Sequence, residues 1–293
     1  MQLDYTISFF SKTGPVVTVK DYSHPPWSRV VMDEINGTWL MELIHTLTGF
    51  KDLYAFANDT DPPERSIGLF DEMSAATQIH PTVFTKNELG WLDARHIART
   101  NIEHLAQWPL VTTLHPIGHP VPPWQTLGQI VAVRVGDSVP YVMIEARKKT
   151  DQFEVGIKGI EDGIPSEGVI VYRVQTRNPT VQEREGGKLP LYLVTQTALK
   201  IGESVVFDDV NLRVDSEFSD GFHISLSLPL VAVPDVTGFH PDMAKRKIES
   251  RGLDANHVGC NRQSCRVESQ DPIGGTRVPN YSRVTYYSYD ESL

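Results

Sequence analysis

Val233-Pro234-Asp235-Val236-Thr237-Gly238-Phe239 opens the stretch that organises the C-terminal part of this chain, and Gln270-Asp271-Pro272-Ile273-Gly274-Gly275-Thr276 closes most of it. Between the two lies a helical pattern, Pro241 to Gly252. Pro241 suits a first helical position, where the missing amide costs nothing. Ala244 and Ile248 are four apart and share a face. Phe239, just ahead of the helix, is placed to staple onto Ala244. Gly252 sits where a helix exit through the left-handed region favours glycine. The alternating runs around Val258, Arg266–Ser269 and Arg283–Tyr287 then predict strands with one buried face.

With these residues in hand, the segment 233–285 resembles a PASTA domain, the module carried by penicillin-binding proteins and bacterial cell-wall kinases. The resemblance implies a small helix-plus-three-strand domain over 230–293. It also implies contact with peptidoglycan or a cell-wall protein, and an extracellular or cell-wall-associated location. The two cysteines, Cys260 and Cys265, fall inside this segment. A disulfide between them suits an oxidising exterior, and two free thiols are the alternative. They are too few for a structural zinc site, which takes four ligands.

A second motif lies upstream. Residues 41–54 read Met41-Glu42-Leu43-Ile44-His45-Thr46-Leu47-Thr48-Gly49-Phe50-Lys51-Asp52-Leu53-Tyr54. With histidine in place of Met41 this is H-E-x-x-H, which sets two imidazoles one helical turn apart toward one Zn²⁺, with the glutamate activating the metal-bound water. Downstream come Gly68-Leu69-Phe70-Asp71-Glu72-Met73-Ser74, then Thr85-Lys86 and Leu89-Gly90-Trp91-Leu92. In this order the pieces resemble the secreted zinc metallopeptidases of the immune inhibitor A and gametolysin type. That likeness extends through Val142–Arg147 and Gly163–Tyr172, and so covers roughly residues 25–230.

Carried over position by position, the resemblance makes Glu42 the catalytic general base, His45 and Asp52 zinc ligands, and Met73 the Met-turn methionine. This chain departs from the pattern. Met41 holds the first ligand position, and a thioether is a poor partner for Zn²⁺. Gly49 and Asp52 each come one residue late, as though a residue were inserted near Thr48, and Lys51 falls at the third-ligand position. Two readings stay open. One is a degenerate, N-terminally incomplete peptidase domain kept as scaffold, a pseudoenzyme. The other is a rebuilt zinc site in which His24, His80 or Asp71 joins His45 and Asp52, giving an active secreted endopeptidase.

Composition sets the outer bounds. The chain has 293 residues, 40% hydrophobic and 22% charged, enough for two or three ordinary globular domains. A formal net charge of −10 disfavours nucleic acid and anionic membranes as partners. The basic set Lys245, Arg246, Lys247 and Arg251 reads as the solvated face of the tail helix. The longest apolar run, near Ile224–Val233, falls short of the roughly 20 residues a membrane span takes. Met1-Gln2-Leu3-Asp4 lacks the basic start of a signal peptide, so an exported protein is expected to carry a further N-terminal segment.

A helix is predicted from about Ser28 to Leu47, with strands at Tyr5–Phe10 and Val16–Lys20. Residues 96–229 read as all-β, with strands at Ile130–Val135, Tyr141–Arg147, Val169–Val174, Leu191–Thr195, Ser204–Phe207, Asn211–Val214 and His223–Leu228. Many short strands with regular turns suggest a sandwich or barrel. Residues 229–234 read as a linker. His115 and His119 read as loop histidines, and Glu145 with Arg147 as a structural ion pair. The expected fold is therefore multidomain α+β. A metzincin-like remnant with one active-site-type helix (1–95) precedes an all-β, sandwich-like domain (96–229) and the PASTA-like domain (230–293).

Overall fold

The structure, a computed structural model, describes residues 36–54, 66–75, 77, 79–118, 129–156, 163–176, 189–218 and 220–290. The expected strands at Tyr5–Phe10 and Val16–Lys20, the candidate ligand His24, and His119 lie outside these residues. The fold is mixed α+β and mostly β. Among the described residues the α-helices are α1 (Asn36–Thr48), α2 (Glu72–Ala75), α3 (Val83–Glu88), α4 (Ile102–Leu105), α5 (Gln152–Val155) and α6 (Pro241–Glu249).

The first strands are β1 (Ile97–Thr100), β2 (Leu110–Leu114), β3 (Ala132–Val135), β4 (Tyr141–Arg147), β5 (Gly168–Val174) and β6 (Leu191–Leu193). A five-stranded sheet takes the order β1-β3-β4-β5-β6. Every residue of β4 is buried, and so is nearly all of β5. Continuous burial, instead of alternation, is what a central strand covered on both faces shows. Tyr141, Met143 and Glu145 oppose Val174, Tyr172 and Ile170, so these six share one face. That face joins Met41, Ile44, Phe70, Met73, Val83 and Phe84 in a single apolar core. The helical segment and the sheet, expected as separate stretches, are thus built around the same interior.

The next strands are β7 (Ser204–Phe207), β8 (Val210–Phe218), β9 (Gly221–Ser227) and β10 (Leu230–Ala232). A second sheet runs β2-β9-β8-β7. In β8, Val210, Leu212 and Val214 are buried, while Asn211, Arg213 and Asp215 are not, the period-2 pattern of a one-sided strand. Phe207 pairs with Val210 across a two-residue turn whose residues, Asp208 and Asp209, both have positive φ. That conformation matches the twist of a tight hairpin, and Asp tolerates it better than bulkier residues.

The last strands are β11 (Asp254–Gly259), β12 (Cys265–Asp271), β13 (Arg277–Pro279) and β14 (Arg283–Asp290). They form a three-stranded sheet in the order β11-β14-β12, with β11 parallel and β12 antiparallel to β14. Ala244 and Ile248 of α6 pack with Val236, Leu253, Val267, Val284 and Tyr286, with Phe239 at the edge. Residues 229–234 are not merely a linker, because β10 pairs antiparallel with β13. Three residues are too few to show a period. The same shortness hid β1, β13 and the one-turn helices α4 and α5, which interrupt the region expected to be all-β.

The chain packs as two compact units made of non-consecutive segments. One holds residues up to Arg99, Thr113–Glu203 and Val214–His223; the other holds Thr100–Thr112, Ser204–Arg213 and Ile224 onward. Within the second unit the tail bonds to both earlier segments. Ser282 Oγ donates to Ala106 O (3.0 Å), and Tyr281 OH to Asp209 Oδ2 (2.7 Å). Among the described residues no helix is long and apolar enough to cross a membrane.

Candidate functional site

Helix α1 turns Met41 and Ile44 into the core, while Glu42 and His45 lie on the adjoining, half-buried face. Three-residue spacing dictates this: Met41 and Ile44 fall under one another, and so do Glu42 and His45. The helix closes at Gly49, whose φ is +71° and whose amide bonds back to His45 O at 2.9 Å. A left-handed closing glycine is a common helix exit. Thr48 helps to build that exit. Its hydroxyl donates to Ile44 O (2.6 Å) and accepts from Phe50 N (3.1 Å).

The turn brings two oxygens to the His45 imidazole. Nδ1 lies 2.6 Å from Phe50 O, and Nε2 lies 2.6 Å from Asp52 Oδ1. Neither oxygen carries a proton when Asp52 is ionised, so both ring nitrogens act as donors and His45 is an imidazolium. Burial works to lower its pKa. The Asp52 bond, the Phe50 carbonyl, and the charges of Asp52 and Glu42 outweigh that and hold the pKa above its ordinary value.

This geometry does not fit a metal. A ligating histidine needs a bare nitrogen lone pair, and His45 has both nitrogens committed. Met41 is 8% exposed and packed into the same core as Met73. Met73 lies beneath the turn, its carbonyl accepting from Leu53 N at 2.8 Å. Among the described residues no three His, Cys, Asp or Glu side chains are grouped as a metal site. The structure therefore brings His45 to Asp52 and packs Met73 in the adjoining core, and among the described residues no third ligand joins them.

The other candidates have different work. Asp71, fully buried, accepts from Met73 N, Thr82 N, Thr82 Oγ1 and Thr85 Oγ1 at 2.6–2.8 Å. Burial pushes its carboxyl up against the pull of those bonds. It ties α2 to the start of α3. His80 pairs with Asp151 at 2.9 Å. His115 lies 3.5 Å from Asp220 and edge-on to Phe218.

Sequence reasoning singled out Glu145 and Arg147 but missed what they organise. Arg147 is fully buried, and its guanidinium uses all five donors. Nε and Nη2 bond Glu154, Nη1 bonds Glu145 and Phe70 O, and Nη2 also bonds His80 O. Glu145 accepts in addition from Val83 N and Tyr172 OH, each at 2.8 Å. Burial pushes the Glu145 carboxyl up, with Arg147 opposing, and raises the Tyr172 phenol well above its ordinary value. The partners come from α3, β4, α5 and β5, a convergence that no local spacing announces.

In the tail, Cys260 and Cys265 are joined as a disulfide. The loop it closes reaches the cap of α6 and the end of the central strand β14. Arg262 O meets the ring of His240, the residue capping α6, at 3.0 Å, and Ser264 Oγ donates to Asp290 Oδ1 at 2.6 Å. Buried Gln270 holds the opening Val-Pro-Asp-Val stretch. Its Oε1 accepts from Val236 N (2.7 Å), and its Nε2 donates to Pro234 O and Pro272 O (3.0 Å each). The chain matches no protein-family model, and no curated protein or solved structure is significantly similar to it.

Proposed function

We propose that this chain is an exported, cell-wall-associated binding protein in which a metallopeptidase-like segment serves as scaffold and does not hydrolyse peptides. One observation carries the non-hydrolytic part: both ring nitrogens of His45 are taken up, by Phe50 O and Asp52, beside a buried Met41. A metal would have to break that clasp, and among the described residues no group of three ligands stands ready to receive it. The binding part rests on the resemblance of residues 233–285 to the PASTA module, with peptidoglycan or a wall protein as partner through residues 230–293. One helix packed on a three-stranded sheet is consistent with it.

A working zinc endopeptidase is the second reading. Its support is the convergence of His45 and Asp52 with half-buried Glu42 one turn away. Metal analysis and calorimetric zinc titration of the full chain, alongside Glu42→Ala and His45→Ala, separate the two. We expect no stoichiometric zinc in any variant and no chelator-sensitive digestion of casein. Zinc that is bound by the wild type and lost in His45→Ala would bring the peptidase forward. Co-sedimentation of the full chain with purified peptidoglycan tests the binding half, and its absence would refute peptidoglycan as the partner.

A further inference from the structure

Beside the Arg147 network lies an arrangement that neither the peptidase resemblance nor the tail accounts for. His80 Nε2 is 2.9 Å from Asp151 Oδ2, so Nε2 carries the proton and the carboxylate accepts it. The opposite nitrogen, Nδ1, is then a bare acceptor, and it faces Lys86 Nζ at 3.4 Å. Carboxylate, imidazole and amine stand in line, the order in which a base relay is built. Asp151 is fixed at the head of α5, where its Oδ1 accepts from Phe153 N and Glu154 N. Lys86 is fixed on α3.

The backbone at Ile117 and Gly118 walls the group. Ile117 O is 3.4 Å from Lys86 Nζ. A Cβ on Gly118 would stand 2.7 Å from Asp151 Oδ2 and 2.8 Å from His80 Cδ2, so only glycine lies there without displacing the pair. Among the described residues Lys86 Nζ has neutral acceptors and no carboxylate ion pair. The side chains of His80 and Asp151 keep 22% and 23% exposure, and Lys86 is likewise only partly buried. The ring of Phe153, itself exposed, stands edge-on to His80 at 5.2 Å and offers an apolar lip.

We infer that Lys86 is a carbonyl-reactive amine, with His80 and Asp151 as its base relay, and that its ligand class is a small aldehyde with an apolar body. Lys86 Nζ attacks the carbonyl carbon and forms the C–N bond. Nitrogen sheds its two protons in turn, each by way of His80 Nδ1: the first makes the carbinolamine hydroxyl, and the second lets that hydroxyl leave as water. The product is a neutral C=N bond, with no change of oxidation state.

The charges facing Lys86 support the assignment. Burial comes first and Arg147 of β4 second in lowering its pKa to about 8; Glu145 of β4, Glu154 of α5 and Asp151 just ahead of α5 oppose this. Burial, then the charge of Lys86, also keeps His80 below its ordinary value despite Asp151, so the relay imidazole is neutral and free to accept. Relative to an ordinary lysine, a pKa of about 8 raises the free-amine fraction at neutral pH about 300-fold.

The test is reductive trapping of the full chain with acetaldehyde and cyanoborohydride, read by peptide mass mapping across about pH 6.5–9.5. Exposed Lys245 is the internal reference. We expect Lys86 to be labelled at least about tenfold faster than Lys245 near pH 7.5, rising with a midpoint near 8. His80→Gln and Asp151→Asn should each slow Lys86 about tenfold or more and leave Lys245 unchanged. Labelling of wild-type Lys86 no faster than Lys245 overturns the inference without any variant. So does an unchanged Lys86 rate in both relay variants.

Discussion

His45 is a residue whose proton does structural work. Its folded pKa is raised, so the stability it contributes is fully present below the unfolded value near 6.5 and is lost as pH rises through the folded one. Asp52→Asn should therefore cost about 1.5–3 kcal/mol near pH 6, the range for a hydrogen bond to a charged group, and about 1 kcal/mol or less near pH 9. Urea midpoints at the two pH values check this, and equal losses at both would show that the pair is not an ion pair. Arg147 sits at the opposite extreme, fully buried and fully bonded. Arg147→Met leaves Glu145 and Glu154 buried without their shared cation, and should cost about 3–5 kcal/mol in a denaturant titration. A cost under about 1 kcal/mol would mean that the Arg147 cation is not what holds these two side chains in the core.

Among the elements, α6 and α1 show how far local chemistry reaches. Pro241 at the start, Ala244 and Ile248 on the buried face, and Gly252 at the exit all behave as their types require. Gly252 has a φ of +73°, and a Cβ there would meet Asn280 Oδ1. Gly252→Ala should destabilise the tail by at least about 1–2 kcal/mol, the left-handed penalty before any clash. Hydrogen exchange of the α6 and β14 amides would report it, and unchanged protection would contradict the strained exit. In α1 the motif reading placed His45 beside Asp52 in sequence terms only. The one-residue offset near Thr48 read as a departure from a metal-site pattern, and in the fold the Thr48 hydroxyl bonds Ile44 O and Phe50 N in the turn that closes α1.

For the molecule as a whole, the feature with most consequence is the core shared by the helical segment and the five-stranded sheet. Phe84 of α3 lies in it and is almost fully buried. Phe84→Ala should cost about 3–5 kcal/mol, the usual penalty for emptying an aromatic site in a core. Exchange protection should then fall together in α1, β4 and β5. Loss confined to α3 would mean that residues 36–95 and the sheet are separate cooperative units after all. The net charge of −10 gives no such structural information; it bears on solubility and on which partners are repelled.

Much of the fold was readable along the chain. β4 and β7 lie where their β-branched and aromatic runs predicted, and the tail helix lies where its proline and glycine set it. Local patterns carry such information because strand, turn and helix-end preferences act over a few residues. What they could not carry was partnership. Asp151 meets His80 across 71 residues, and Glu145 meets Val83 across 62. The His45 nitrogens are closed off only because a turn folds Phe50 O and Asp52 back onto them. Whether a histidine offers a lone pair or two protons depends on which oxygens the fold brings to it. Residue type and spacing name the imidazole; its three-dimensional neighbours set its chemistry.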